Sequence, residues 1–165
     1  MLGAKGFTLV ELVVVLAILG ILGAAAIPQV IGSLPTYRLR AEARELVSNF
    51  KKARLEAVKR NRTVLIQFTL GEGPTGSYRI FVDMDNDNVY DPAIDEELIN
   101  WPLRPQTVLA ATDTPFTDNR AGYNERGLPA GTVNNRSIVL RTSDGSRGYE
   151  LTLLSAGGVR LEDLP

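Results

Sequence analysis

The spacing of apolar positions changes twice along this chain. Residues 7–27 form a continuous apolar run broken only by Thr8 and Glu11. At about 1.5 Å per helical residue, such a run is long enough to cross a hydrocarbon core of roughly 30 Å. Pro28, Gly32 and Pro35 follow. A proline removes an internal helix hydrogen bond, so Pro28 is the expected kink. Beyond it Leu39, Ala43, Leu46, Phe50, Ala53 and Ala57 recur at alternating intervals of four and three, which places them on one helical face. The stripe spans less than three heptads and reads as a core-packing face. From residue 7 to about 61 the pattern predicts one long helix, about 80 Å if fully helical.

After residue 62 the period drops to that of strands. Residues 63–70 are β-branched and apolar, 71–76 are rich in turn formers, and 77–83 resume the strand pattern, which predicts a hairpin. Further short strands are predicted at 97–101, 107–111, 137–141, 149–154 and 159–161, with Asp144-Gly145 turning one pair. The fold class is α+β: a long N-terminal helix, its first half membrane-spanning, packed on an antiparallel β-sheet or β-sandwich. The expected divisions are a short leader at 1–6, a transmembrane and assembly helix at 7–27, an amphipathic stem at 28–61 and a β domain at 62–165.

Charge changes this picture in two places. Glu11 lies inside the apolar run, where a carboxylate costs on the order of 2.5–3.5 kcal/mol at the centre of a spanning helix, so it reads as a functional group awaiting a partner. Lys5 is the only base before the run and marks the cytoplasmic side, which leaves residues after about 28 facing outward. A secretory signal peptide cut near Ala24-Ala25-Ala26 and a plain membrane anchor are the competing readings of this start. The stem carries Arg38, Arg40, Arg44, Lys51, Lys52, Arg54, Lys59, Arg60 and Arg62 against Glu42, Glu45 and Glu56. That excess of bases suits either a solvated face or contact with acidic surfaces of neighbouring subunits.

The acidic run Asp83, Asp85, Asp87, Asp91, Asp95, Glu96 and Glu97 begins like a calcium loop. Its sixth position is Asn88 where glycine is needed and its twelfth is Ile94 where a bidentate carboxylate is needed, so the run reads as a polar turn whose Asp and Asn cap their own backbone, with calcium held through another geometry as the alternative. With no His and no Cys, imidazole-based triads, thiol nucleophiles and ordinary zinc sites are excluded. No second acidic cluster is placed to oppose the first across a cleft. The chain reads as a non-enzyme with no catalytic residue, no cofactor and no metal.

The segment Lys5-Gly6-Phe7-Thr8-Leu9-Val10-Glu11-Leu12 resembles the N-terminus of type IV pilins and of the pseudopilins of type II secretion systems. The resemblance implies that a prepilin peptidase cuts between Gly6 and Phe7 on the cytoplasmic face and then N-methylates Phe7. Such a cut creates an α-amino group of pKa about 8, mostly cationic at neutral pH. Glu11 lies one helical turn away, and in the family its carboxylate is thought to meet the amine of a neighbouring subunit, which would fix axial register. Pro28 stands where the family commonly carries a helix-bending proline.

The order of elements, the hairpin strand Tyr78-Arg79-Ile80-Phe81-Val82-Asp83, the acidic turn and the final Gly157-Gly158-Val159-Arg160 are similar to the general secretion pathway protein H and FimT group of minor pseudopilins and minor pilins. The lack of cysteine removes the C-terminal disulfide common in major pilins. This resemblance implies a minor pseudopilin of a type II secretion pseudopilus, held by a single pass in the bacterial inner membrane with its C-terminal domain in the periplasm. Its implied partners are prepilin peptidase, major and other minor pseudopilins, and an inner-membrane assembly platform. The alternative is a FimT-like minor type IV pilin serving pilus assembly or DNA uptake, in which Arg160 would contact phosphate, with Arg136, Arg141 and Arg147 as supplements. The net charge of −1 and the Glu162-Asp163 pair after Arg160 argue against nucleic acid as a partner.

Overall fold

The computed structural model of the chain describes residues 6, 8–130 and 136–164, with the backbone alone over 25–31. A long helix, α1 (Leu9–Arg60), is followed by β1 (Val64–Thr69), β2 (Gly71–Glu72), β3 (Ser77–Val82), β4 (Glu96–Pro102), β5 (Thr107–Ala110), β6 (Arg120–Tyr123), β7 (Arg136–Thr142), β8 (Gly148–Leu153) and β9 (Val159–Leu164). The helix continues across Pro28, Gly32 and Pro35 rather than breaking there. The side chain of Pro28 lies outside the described residues. The chain divides into two compact units, Met1–Leu34 and Pro35–Pro165.

Within the second unit the strands form two antiparallel sheets, a four-stranded one in the order β4-β3-β1-β6 and a five-stranded one in the order β2-β5-β7-β8-β9. The predicted hairpin is β1 with β3, in register from Val64↔Val82 to Thr69↔Ser77. The 71–76 connection is more than a turn: Gly71 and Glu72 pair with Leu109 and Val108 of β5, so the loop leaving one sheet supplies an edge strand to the other. A two-residue strand has too little pattern to be read in advance. The same holds for β6, whose Gly122 is opposite Leu65 and so close to it that an added Cβ would lie 2.6 Å from that side chain.

The stem stripe behaves as its period requires. Leu39, Ala43, Leu46, Phe50, Ala53 and Ala57 are all fully buried and form one cluster with residues of both sheets. Phe50 is central, with ring centroids 6.2 Å from Phe68, 6.4 Å from Phe116 and 6.4 Å from Tyr123. Every residue of that cluster belongs to Pro35–Pro165, so this unit holds a complete core of its own. The helix ends in a Schellman arrangement: Asn61 takes φ 53°, its N–H reaches Val58 O at 3.4 Å, and Arg62 N–H reaches Ala57 O at 3.2 Å.

Candidate assembly surfaces

At the start of α1 Thr8 is the N-cap. Its Oγ1 accepts the Glu11 N–H at 3.3 Å, and its carbonyl accepts the Leu12 N–H at 3.2 Å. Thr8-x-x-Glu11 is therefore spaced as a capping box, a local signal separate from the charge of Glu11. Glu11 is exposed in the first turn, where the helix dipole favours a carboxylate. Gly6 is exposed with open space around its Cα, whereas Phe7 lies outside the described residues. The apolar side chains that follow are uncovered, with Leu9 79%, Leu12 57%, Leu16 59% and Ile21 71% exposed. A surface of that kind needs lipid or other helices around it. Among the described residues no helix is long and apolar enough to cross a membrane, and the expected span 7–27 lies partly outside them.

The stem's charges sort into two groups. Glu42, expected on the outer face, is instead buried. Its Oε2 accepts the Trp101 indole N–H at 2.9 Å, and its Oε1 accepts the Arg104 backbone N–H at 3.0 Å and faces Arg104 Nε at 3.2 Å. It thus ties the stem to the β4–β5 connection. Asn49, one heptad on, is also buried and donates to Tyr78 Oη at 2.8 Å, where burial holds the phenol above its ordinary pKa. Glu56 pairs with Arg60 at 2.6 Å and Lys59 at 3.8 Å, and the Arg60 hydrogen bond lowers its pKa. Arg60 also reaches Glu96 at 2.5 Å, and Arg38 donates to Gln106 at 3.2 Å. Among the described residues Arg40, Arg44, Lys51, Lys52 and Arg62 are exposed and make no ion pair within the chain.

The acidic run folds as a self-capped loop. Asp83 and Asp95 are buried at its base. Asp83 accepts the N–H groups of Asn86 at 2.8 Å and Asn88 at 3.2 Å, and Asp95 accepts those of Met84 at 2.9 Å and Asp91 at 2.8 Å. Asp85, Asp87 and Asp91 each take the N–H two residues ahead. Burial raises the Asp83 carboxyl above its ordinary pKa, against those backbone donors. The oxygens of Asp83, Asp85 and Asp87 converge within 4.8 Å, a spacing produced by the same turns.

Arg160 projects from the edge strand β9, exposed, with Nε 3.2 Å from Glu162 Oε1. The register opposes Arg160 to Thr152 and Ser137, while Arg136 opposes Leu153 on the other face of the sheet. Arg136 donates to the Pro115 carbonyl at 2.8 Å. Arg141 shares the face of Arg160, but Glu150 and Glu162 pair across the strands on that face too. Arg136 is thus not gathered with Arg160, and the face that Arg141 and Arg160 share carries carboxylates as well.

Comparison with known proteins places these features. The family described as Type II transport protein GspH matches residues 42–157, and the prokaryotic N-terminal methylation motif matches residues 1–27. The pilin-like protein PilA1 of Thermus thermophilus is 33% identical over 167 residues, covering 96% of this chain and 98% of that protein. Among solved structures, the type IV minor pilin FimU of Pseudomonas aeruginosa superposes with a TM-score of 0.55 at 19% identity, over 77% of this chain and 90% of FimU. The minor pseudopilin EpsH of Vibrio cholerae gives a TM-score of 0.47 at 10% identity, over 76% of this chain and 96% of EpsH. The FimU likeness confirms the long helix on antiparallel sheets as a pilin-like α+β fold.

Proposed function

The chain belongs to the family of Type II transport protein GspH, and from that membership we propose that it works as a minor pseudopilin, a structural subunit of a type II secretion pseudopilus. The observation that carries this reading is the family match over 42–157, which takes in most of the core-forming stem and, among the described residues, the whole of β1 to β8. The methylation motif over 1–27 supports processing by a prepilin peptidase, with 1–6 removed as leader and Phe7 becoming the methylated N-terminus. Residues 7–27 then anchor the subunit in the bacterial inner membrane by a single pass, 28–61 form the stem, and 62–165 form the periplasmic domain. The uncovered apolar side chains from Leu9 onward fit an anchor that later packs among other subunits' helices. Partners are the peptidase, major and other minor pseudopilins, and the inner-membrane assembly platform. The family is a structural one, and the chemistry asked of this chain is assembly rather than catalysis.

A minor type IV pilin is the second reading, favoured by the relationship to the pilin-like protein of Thermus thermophilus. Within it, DNA uptake through Arg160 is the weaker branch, because Glu162 already holds that guanidinium.

Co-expression with a prepilin peptidase tests processing. Intact mass should show loss of residues 1–6 and a methylated Phe7, and Gly6→Val should block the cut. A mature chain beginning at Ile27, or an unprocessed chain beside active peptidase, would overturn the reading. Deleting the gene then separates the two machines: export of secreted proteins falls in one case, and pilus number or transformation in the other.

A further inference from the structure

Each of the two sheets has two edges, and among the described residues three of the four are blunted. β2 is only two residues long. β4 shifts register against β3 between Ile80 and Phe81, a bulge of the kind that turns an edge away from further pairing. β6 is covered by the chain that follows it, with the Ala130 N–H bonded to Gly122 O at 2.9 Å. β9 differs: it runs six residues in unbroken register with β8 and, among the described residues, pairs with nothing on its other side. The Leu154 N–H to Gly158 O bond at 2.8 Å sets the phase of that ladder. Arg160, Glu162 and Leu164 therefore bond to β8, while Val159, Leu161 and Asp163 turn their N–H and C=O groups to the open edge.

Between this strand and the stem lies a groove of about 310 Å³ lined by Arg44, Val47, Ser48, Lys51 and Leu161. Val47 and Leu161 are half-buried and pack against the core, so its floor is apolar. Arg44 and Lys51 rim it as exposed bases without an ion pair in the chain. Asp163, on the same face of β9 as Leu161, bridges to neither, and the two bases outweigh it. Arg160 and Glu162 pair with each other on the opposite face. A strand laid along the open edge would turn alternate side chains toward the groove. An apolar one suits the floor, and carboxylates two positions to either side of it suit the bases. Such a five-residue stretch spans about 13 Å, close to the rise of about 10.5 Å from Arg44 to Lys51 along the helix.

We propose that β9 accepts an extended acidic segment of a different pseudopilin subunit as an added strand, its apolar side chain entering over Val47 and Leu161 while the flanking carboxylates meet Arg44 and Lys51. A second copy does not supply this segment. In this chain the alternation of carboxylate and apolar residue occurs only in Asp87-x-Val89-x-Asp91-x-Ala93-x-Asp95. There the N–H groups of Asp87, Val89, Asp91 and Ala93 are already bonded to the loop's own carboxylates and are not offered to a ladder. A contact with an unlike subunit does not repeat from copy to copy along a fibre, which suits a minor component. The inference rests on the minor-subunit reading above and names the chemistry of the neighbour.

The test uses the full-length chain with a photoreactive amino acid at Ser48, made in cells that also make the peptidase and the other pseudopilins. After irradiation, mass spectrometry reads the peptide joined to Ser48. It should belong to another pseudopilin and hold an apolar residue with a carboxylate two positions away on each side. Arg44→Glu with Lys51→Glu should cut the yield of this adduct about tenfold, and lysines in place of the neighbour's two carboxylates should restore it. Restoration shows that the loss came from the contact and not from misfolding. Asp163→Pro probes the edge itself, because it removes an outward N–H and leaves the ladder to β8 intact. At equal levels of processed chain its yield should be about threefold below that of Asp163→Ala, which removes the same charge. An adduct with a second copy, an adduct with a segment lacking the carboxylates, a yield indifferent to charge exchange, or equal yields for Asp163→Pro and Asp163→Ala would each overturn the proposal. Sheared fibres from the same cells keep the two ideas apart: a chain present in fibres without the Ser48 adduct refutes the added strand alone, and a chain absent from fibres refutes the subunit reading.

Discussion

Glu42→Ala is the sharpest probe of how the stem is joined to its domain. Truncation removes the acceptors of the Trp101 indole N–H at 2.9 Å and the Arg104 backbone N–H at 3.0 Å. Hydrogen bonds to a charged group contribute about 1.5–3 kcal/mol each, and the half-exposed Arg104 guanidinium adds little, so the expected loss is about 4 kcal/mol. For a unit of about 130 residues, that lowers Tm by roughly 15 °C. Glu42→Gln keeps one acceptor but turns an amide N–H₂ toward another donor, and should cost about half as much. Arg104→Ala should cost under about 1 kcal/mol. Urea unfolding of the 35–165 unit measures all three, with circular dichroism beside the fluorescence of Trp101, the chain's single tryptophan. An Arg104→Ala loss equal to that of Glu42→Ala would refute the argument, because the ion pair and not the buried hydrogen bonds would then be holding the stem.

Asp83→Ala should destabilise the same unit by about 2 kcal/mol, since the N–H groups of Asn86 and Asn88 lose their acceptor; urea midpoints decide it. Burial raises the Asp83 carboxyl, so the folded state holds its proton more firmly than the unfolded one, and its contribution to stability grows as pH falls from neutral through that raised value. Asp83→Asn should remove that slope, and midpoints unchanged in their pH dependence would exclude it. For DNA, the 35–165 unit should bind duplex only weakly at low salt, with no loss for Arg160→Ala and near-complete loss for the triple neutralisation of Arg40, Lys51 and Lys52. Micromolar-range or tighter affinity at physiological salt that depends on Arg160 would instead favour the DNA-uptake reading.

The parts of this fold that were legible are those where one residue's position follows from its near neighbours. The stripe from Leu39 to Ala57 is wholly buried because a 3.6-residue period converts spacing directly into a face. The strands with their own run of β-branched and apolar residues, such as β1 and β3, could be read from composition between turn formers. Glu42 borders that stripe, which the period shows, but its partners Trp101 and Arg104 lie 59 and 62 residues away, so the hydrogen bonds that let a carboxylate be buried there could not be read locally. β2 and β6 are strands because β5 and β1 make them so, and neither has a pattern of its own. In the acidic run the self-capping was readable from composition. Which two of its carboxylates would be buried was settled by where β3 ends and β4 begins.

Glu11 poses a choice that magnitudes can narrow. Thr8 caps the helix and the dipole of the first turn favours a carboxylate by about 0.3–1 kcal/mol, both without any neighbour. Insertion of an acid at mid-membrane costs on the order of 2.5–3.5 kcal/mol, so even with a smaller cost near the helix end the local terms leave a deficit that a cation from another subunit would cover. Glu11→Val cannot separate the two roles, since it removes the charge and the side-chain acceptor of a capping box together. Glu11→Gln can, because glutamine serves that box and carries no charge. If capping is the whole role, Glu11→Gln enters sheared fibres as well as the native chain does. If the carboxylate sets register against a methylated amine, Glu11→Gln fails as Glu11→Val does, while both variants still insert in the membrane and are cut after Gly6. Thr8→Ala completes the comparison: it removes the hydroxyl cap but keeps the charge, so a register role predicts that it enters fibres nearly as well as the native chain.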